Sequence, residues 1–147
     1  MPNNNPPLII TPEAEQIARA VRTWLNTYPD KPETMVDVDY LGEDSGLALM
    51  TTQAAYKTRE YILGGYEAQY QFTIFWRTIP TNANERLQAD ETLNNYAAWA
   101  EQNPIVLSSP CRTVKLTRNT NAALLAVYDN GAEDHTILMT LTYEVNV

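Results

Sequence analysis

The chain holds one cysteine, Cys111, and one histidine, His135. A single cysteine excludes an internal disulfide and a cysteine-rich zinc site, and it fits a reducing compartment. Glycine is scarce: all five (Gly42, Gly46, Gly64, Gly65, Gly131) stand in turn-like settings, which leaves no loop to cradle a phosphate. No serine nucleophile elbow is present. Basic residues are outnumbered, 10 Lys and Arg against 18 Asp and Glu, for a net charge of −8. That balance argues against broad nucleic-acid binding, which needs a basic footprint to displace counterions. It also argues against docking on anionic membrane surfaces. No apolar run approaches the roughly 20 residues that span a bilayer. The opening MPNNNPPLII has no basic flank and too short an apolar run for a signal peptide, so a soluble, cytoplasmic product is expected.

What is present is enough for one core. Of 147 residues, 44% are hydrophobic, which fits one domain of this length. Nine tyrosines bring apolar bodies with polar tips, suited to half-buried surfaces and interfaces. Residues 1–10 read as a flexible Pro/Asn-rich arm and 11–147 as a single domain. A first helix is expected from Thr11 and Pro12, with Ile17, Val21, Trp24, Leu25 and Tyr28 on one face. MVDVDYL (35–41), the GEDSG turn (42–46) and LALMTT (47–52) read as a β-hairpin. YEAQYQFTIFWRT (66–78) is the clearest strand, with Tyr66, Ala68, Tyr70, Phe72, Ile74 and Trp76 on its apolar side. Asn82 and Glu85 form a capping-box pair for a second helix. Its apolar stripe reads as Leu87, Leu93, Tyr96, Ala97 and Ala100, and Pro104 ends it. CRTVKLTR (111–118) has the alternation of an edge or interface strand. AALLAVYD (122–129) leads through Asn130–Gly131 to a last strand at about 135–145. There Ile137, Met139, Leu141, Tyr143 and Val145 share a face. The expected class is α+β: an antiparallel sheet with two helices on one face.

Three groups of residues could carry function. Cys111 and His135 could form a thiol–imidazole pair if the fold brought them within hydrogen-bond reach. Yet His135 has the parity of Ile137 and Met139, which makes it more simply a strand-end residue, one whose replacement by alanine costs at most about 1–2 kcal/mol. Asp37 and Asp39 share a strand side, as paired acids for glycoside hydrolysis would, but they fit the wet side of a hairpin better. Arg112, Lys115 and Arg118 form a short basic stripe, with Arg112 and Arg118 on one side and Lys115 on the other. No metal-ligand spacing and no cofactor motif is found. Segment 53–65 carries Tyr56, Tyr61, Ile62 and Leu63 outside any core pattern. It reads as a projecting hairpin or loop arm turning at Gly64–Gly65, and such an arm needs something to pack on.

Four stretches together carry a resemblance: TWLNTYPDKP (23–32), YLGEDSGLALMTTQAAYKTREYILGGYEAQYQFTIFWR (40–77), ERLQADETLN (85–94) and RNTNAALLAVYDNGAEDHTILMTLTYEV (118–145). They resemble the tail-terminator or minor capsid family of tailed bacteriophages and prophages, in the form found in Gram-positive hosts. The resemblance implies an α+β subunit of a homo-oligomeric ring, usually a hexamer, in the virion neck, assembled in the host cytoplasm. Such a ring ends the growth of the tail tube and meets the head completion proteins. Genomic DNA passes through it without sequence-specific binding. The family implies no catalysis and no cofactor. In a heterologous ring, one patch meets a different patch on the next subunit. Tyr56, Arg59, Tyr61, Ile62, Leu63, Arg112, Lys115 and Arg118 are the expected interface residues, with acidic 37–44 or 129–134 as their complement.

Overall fold

The computed structural model describes residues 12–33, 35–38, 45–52 and 56–146. The expected N-terminal arm, the Thr11 cap, Asp39 and most of the 42–46 turn lie outside these residues. Two helices and seven strands follow one another: α1 (Pro12–Leu25), β1 (Val36–Val38), β2 (Gly46–Thr51), β3 (Lys57–Glu60), β4 (Tyr66–Thr78), α2 (Ala83–Gln102), β5 (Cys111–Arg118), β6 (Ala123–Val127) and β7 (Glu133–Val145). The class is α+β, as the sequence predicts.

β4 and β7 form the spine. They pair antiparallel along their whole lengths, from Tyr66 opposite Val145 to Thr78 opposite Glu133. Each alternates cleanly, so the pairing stacks two apolar sets on one side of the sheet. Ala68, Tyr70, Phe72 and Ile74 of β4 are buried together with Ile137, Met139, Leu141, Tyr143 and Val145 of β7. Both helices lie over this side. α1 contributes Ile17, Val21 and Leu25, and α2 contributes Leu93, Tyr96, Ala97 and Ala100. The helices meet through rings: Trp24 stacks on Trp99 at 5.5 Å, and Tyr28 lies 4.5 Å from Tyr96. The Tyr96 hydroxyl donates to the Leu25 carbonyl at the end of α1, and Trp24 Nε1 donates to the Asn103 carbonyl at 2.8 Å.

The remaining strands fill the two borders of the spine. On the β4 border, β2 pairs with 72–77 and β3 with 66–68. On the β7 border, β5 pairs with 139–145 and β6 with 133–136. The sheet therefore has two distinct ends. One, at Tyr66 and Val145, carries β3 and the start of β5. The other, at Thr78 and Glu133, carries β6.

Three expectations need correction. β1 and β2 are not a hairpin: they run parallel, Val36 beside Leu47 and Val38 beside Leu49, so the sheet is mixed. Alternation reports which side a residue faces and is silent on strand direction. Here α1 holds the strand, because Val36 donates its N–H to Asn26 Oδ1 at 2.8 Å and its carbonyl accepts from Arg22 Nε at 3.0 Å. Leu87 does not join the α2 core stripe. It is 69% exposed, and Ala89 is buried in its place. In the capping box, Asn82 Oδ1 accepts from the Glu85 N–H at 2.9 Å, but the Glu85 carboxylate turns to Thr81. Those two hydrogen bonds hold its carboxyl below the usual range.

Candidate assembly surface

His135 is buried, and its surroundings are richer than a strand end would have. Its Nδ1 lies 2.7 Å from Asp90 Oδ1 on α2, and its Nε2 lies 3.2 Å from Glu133 Oε2. Glu133, itself buried, accepts from Arg86 Nε at 2.6 Å. Alternation along β7 sends Asp134 to the other side of the sheet. There Arg77 grips it with two hydrogen bonds of 2.7 and 2.9 Å, and the Tyr128 hydroxyl adds a third at 2.7 Å. Burial raises the Asp134 carboxyl, but the bonds from Arg77 and Tyr128 and the nearby positive charge outweigh it and hold the group below its ordinary value. Hydrogen bonding to Asp134 holds the Arg77 guanidinium more firmly protonated than usual. The cluster is a staple between α2, β4, β6 and the start of β7. Both ring nitrogens of His135 are committed to carboxylates, and of the 129–134 acids Glu133 and Asp134 are consumed inside the subunit, which leaves Asp129 exposed.

Cys111 cannot meet His135. Cys111 pairs with Val145 and His135 with Trp76, at opposite ends of β7. The strand rise puts ten residues roughly 33 Å apart. Among the described residues, no group of three or more His, Cys, Asp or Glu is placed to hold a metal. Nor is any described helix long and apolar enough to cross a membrane.

The eight expected interface residues divide. Arg59, Tyr61, Ile62, Leu63 and Arg112 gather at the Tyr66–Val145 end of the sheet. Residues 53–55 lie outside the described residues, but the rest of the expected arm is a hairpin there: β3 pairs antiparallel with β4, and its four residues are all exposed. At its tip Ile62 and Leu63 are 102% and 98% exposed. The Tyr61 hydroxyl is held above its ordinary value by desolvation first and then by Glu144 and Glu67, while Arg112 donates to Glu144 at 2.6 Å. Tyr56 is half-buried and turns inward. Its hydroxyl lies 3.0 Å from that of Tyr66, and it packs against the core.

The expected facing of the basic stripe is also wrong. A β-bulge between Thr113 and Lys115 shifts the register and inserts one residue, which reverses the alternation. Arg112 and Lys115 therefore share the side opposite the helices, next to Glu144 and Thr142. Arg118 turns to the helix side, 3.9 Å from Glu101 of α2. A bulge has no signature in CRTVKLTR, and simple parity misses it.

The strand expected at 122–129 is present as β6, but the sequence did not foretell its exposure. Leu124, Leu125 and Val127 are exposed, the last two at 61%. β6 pairs only with β7 among the described strands. Leu87 stands on the same α2 flank as Asp90 and Asn94, by its i, i+3, i+7 spacing. That flank bonds His135 and, through Asn94 Oδ1, the Ala122 N–H, so Leu87 extends the same apolar corner. The available signal was the unbroken run AALLAV, which reads equally well as core.

No family model matches the chain, and no curated protein matches it. Among solved structures, a chain from the "Virion of native gene transfer agent (GTA) particle" aligns with a TM-score of 0.54 at 17% identity, over 89% of this chain and 90% of that one. The two share a fold across nearly their whole lengths. A second solved chain aligns at 18% identity over 91% of this chain and 96% of that one, with a TM-score of 0.44, too low to bear on the fold.

Proposed function

We propose that this chain is a structural subunit of a phage-like virion. Within that class we read it as a tail terminator, a ring of identical subunits, a hexamer by family resemblance, at the head-proximal end of the tail. The observation that carries the reading is the fold held in common with a virion chain along almost the full length of both. The resemblance of the four sequence stretches supplies the finer role. Two properties of the surface agree with it. Two different exposed apolar patches, Ile62–Leu63 at one end of the sheet and Leu124, Leu125 and Val127 at the other, suit head-to-tail association, in which unlike patches meet. The thiol–imidazole pair that an enzyme reading needs is pulled apart by the length of β7.

In this reading the ring halts the growth of the tail tube and offers its other side to the head completion proteins. The genome passes through the lumen, and a net charge of −8 keeps protein and DNA from adhering. Another head–tail neck or minor capsid subunit is the second reading, because a shared virion fold does not distinguish positions along the neck. Purified protein is tested alone and with tail-tube protein by native mass spectrometry and negative-stain imaging. The expected result is a closed ring that caps tubes and fixes their length. A chain that stays monomeric both alone and with tubes, and leaves tube length unchanged, would overturn the tail-terminator reading.

A further inference from the structure

We infer that the apolar corner at β6 receives the β3–β4 hairpin tip of a neighbouring copy, so that this contact closes the ring; the inference rests on the ring reading above. The tip is built in advance. Tyr61 donates its N–H to the Gly65 carbonyl at 3.1 Å, and the Gly64 N–H returns to the Tyr61 carbonyl at 3.2 Å. Gly64 and Gly65 have φ of 97° and 82°, values that side-chain-bearing residues seldom adopt. A Cβ on Gly65 would stand 2.6 Å from the Val145 carbonyl oxygen, so the turn is seated against the end of β7. The hairpin therefore presents Ile62 and Leu63 on a fixed mount, uncovered by the described residues.

The receiving corner has the matching chemistry. Leu124, Leu125 and Val127 of β6 and Leu87 of α2 expose aliphatic surface, and β6 shows an edge that no described strand covers. The two patches cannot meet within one subunit. The tip lies at the Tyr66–Val145 end of the spine and β6 at the Thr78–Glu133 end, on the order of 40 Å apart at the usual strand rise. Charge selects the pairing between copies. Lys57 and Arg59 flank the tip, and Arg59 has no ion pair among the described residues. Asp129, exposed and likewise unpaired there, borders β6. Contact of tip with β6 sets Arg59 toward Asp129, and it is the heterologous arrangement that closes into a ring.

The test uses the full chain, with native mass spectrometry beside circular dichroism. Leu125→Asp and Leu63→Asp each change a fully or largely exposed side chain, so each variant should keep its fold and shift from ring to monomer. Mixed together, the two should give a 1:1 dimer that grows no further, because one retains the tip and the other retains the corner. Arg59→Asp and Asp129→Arg should each weaken the ring, and the double variant should restore it. Intact rings in both aspartate variants would overturn the tip-in-corner contact while leaving the ring reading standing. Leu125→Asp rings that no longer bind tube protein would overturn it too, by assigning β6 to the tube. A wild-type chain that never assembles, with or without tubes, would remove the ring reading and this contact with it.

Discussion

β5 and β6 lie along the same border of the same strand, β7, and they invert the expectation that composition predicts burial. β5 reads CRTVKLTR, with three cations in eight residues, yet Cys111 and Leu116 pack against the core beneath the helices. β6 reads ALLAV, and its leucines face solvent. The difference is the cover. α2 packs on β5 and β7, whereas among the described residues the β6 end of the border receives the polar staple of Arg86, Asp90, Glu133 and His135. An apolar strand is buried when another layer lies over it. A strand left without a layer is a surface in search of one.

That contrast can be broken most sharply at the staple. Replacing Glu133 by alanine leaves Arg86 without its carboxylate partner and takes from His135 one of its two. Breaking a buried pair from one side costs about 3–5 kcal/mol; Arg86 keeps half its side chain in water, so the expected outcome is an unfolding free energy, from urea titration, lowered by about 3 kcal/mol. His135→Ala should approach the same loss, above the 1–2 kcal/mol of an ordinary substitution, because it strips partners from Asp90 and Glu133 together. A change under 1 kcal/mol in either variant would mean that the staple does not hold α2 to β7.

Next in size is the comparison of leucines across the border. Leu141 of β7 is buried opposite Leu116 of β5, and Leu141→Ala should cost about 2–5 kcal/mol by transfer and cavity terms. Leu125→Ala, on β6, should change subunit stability by less than about 0.5 kcal/mol, as surface substitutions do. Thermal unfolding at a concentration where the protein is monomeric measures both. Equal losses would show that β6 is covered within its own subunit.

A smaller effect concerns acid. The folded state holds the Asp134 carboxyl below its ordinary value. Its stabilising contribution is therefore complete above the unfolded value of about 3.9 and is lost as pH falls through the lower folded value. The wild type should lose stability below about pH 4 more steeply than Asp134→Asn. Parallel midpoint curves for the two proteins across that range would show that the Arg77–Asp134–Tyr128 group adds no pH dependence.

Much of the fold was legible because burial on one side of an element imposes a period. The faces of α1, β4 and β7, the α2 cap at Asn82 and the β6–β7 turn at Gly131 all follow from residue spacing. The hairpin at Gly64–Gly65 was legible for the same local reason, since only a few residues tolerate its backbone. The exposure of the hairpin tip was legible. Ile62 and Leu63 stood outside every core pattern, and the structure leaves them fully exposed. The facing of Arg118 and the inward contact of Tyr56 were not legible, because a bulge and a tyrosine–tyrosine contact leave no local trace.

The sequence by itself determined the class, the apolar sides of the long elements and the separation of Cys111 from any local partner, because each of these depends on neighbours within a few positions along the chain. Tertiary structure alone decided that β1 runs parallel to β2, that Arg112 and Lys115 face together, that Asp90 reaches His135 across 45 residues, and that β6 is bare. Each is a fact about which element lies beside or above another. Local preference carries no information about that, since the same alternating or apolar stretch satisfies its backbone equally well at the centre of a sheet, at its edge, or against a second copy of the chain.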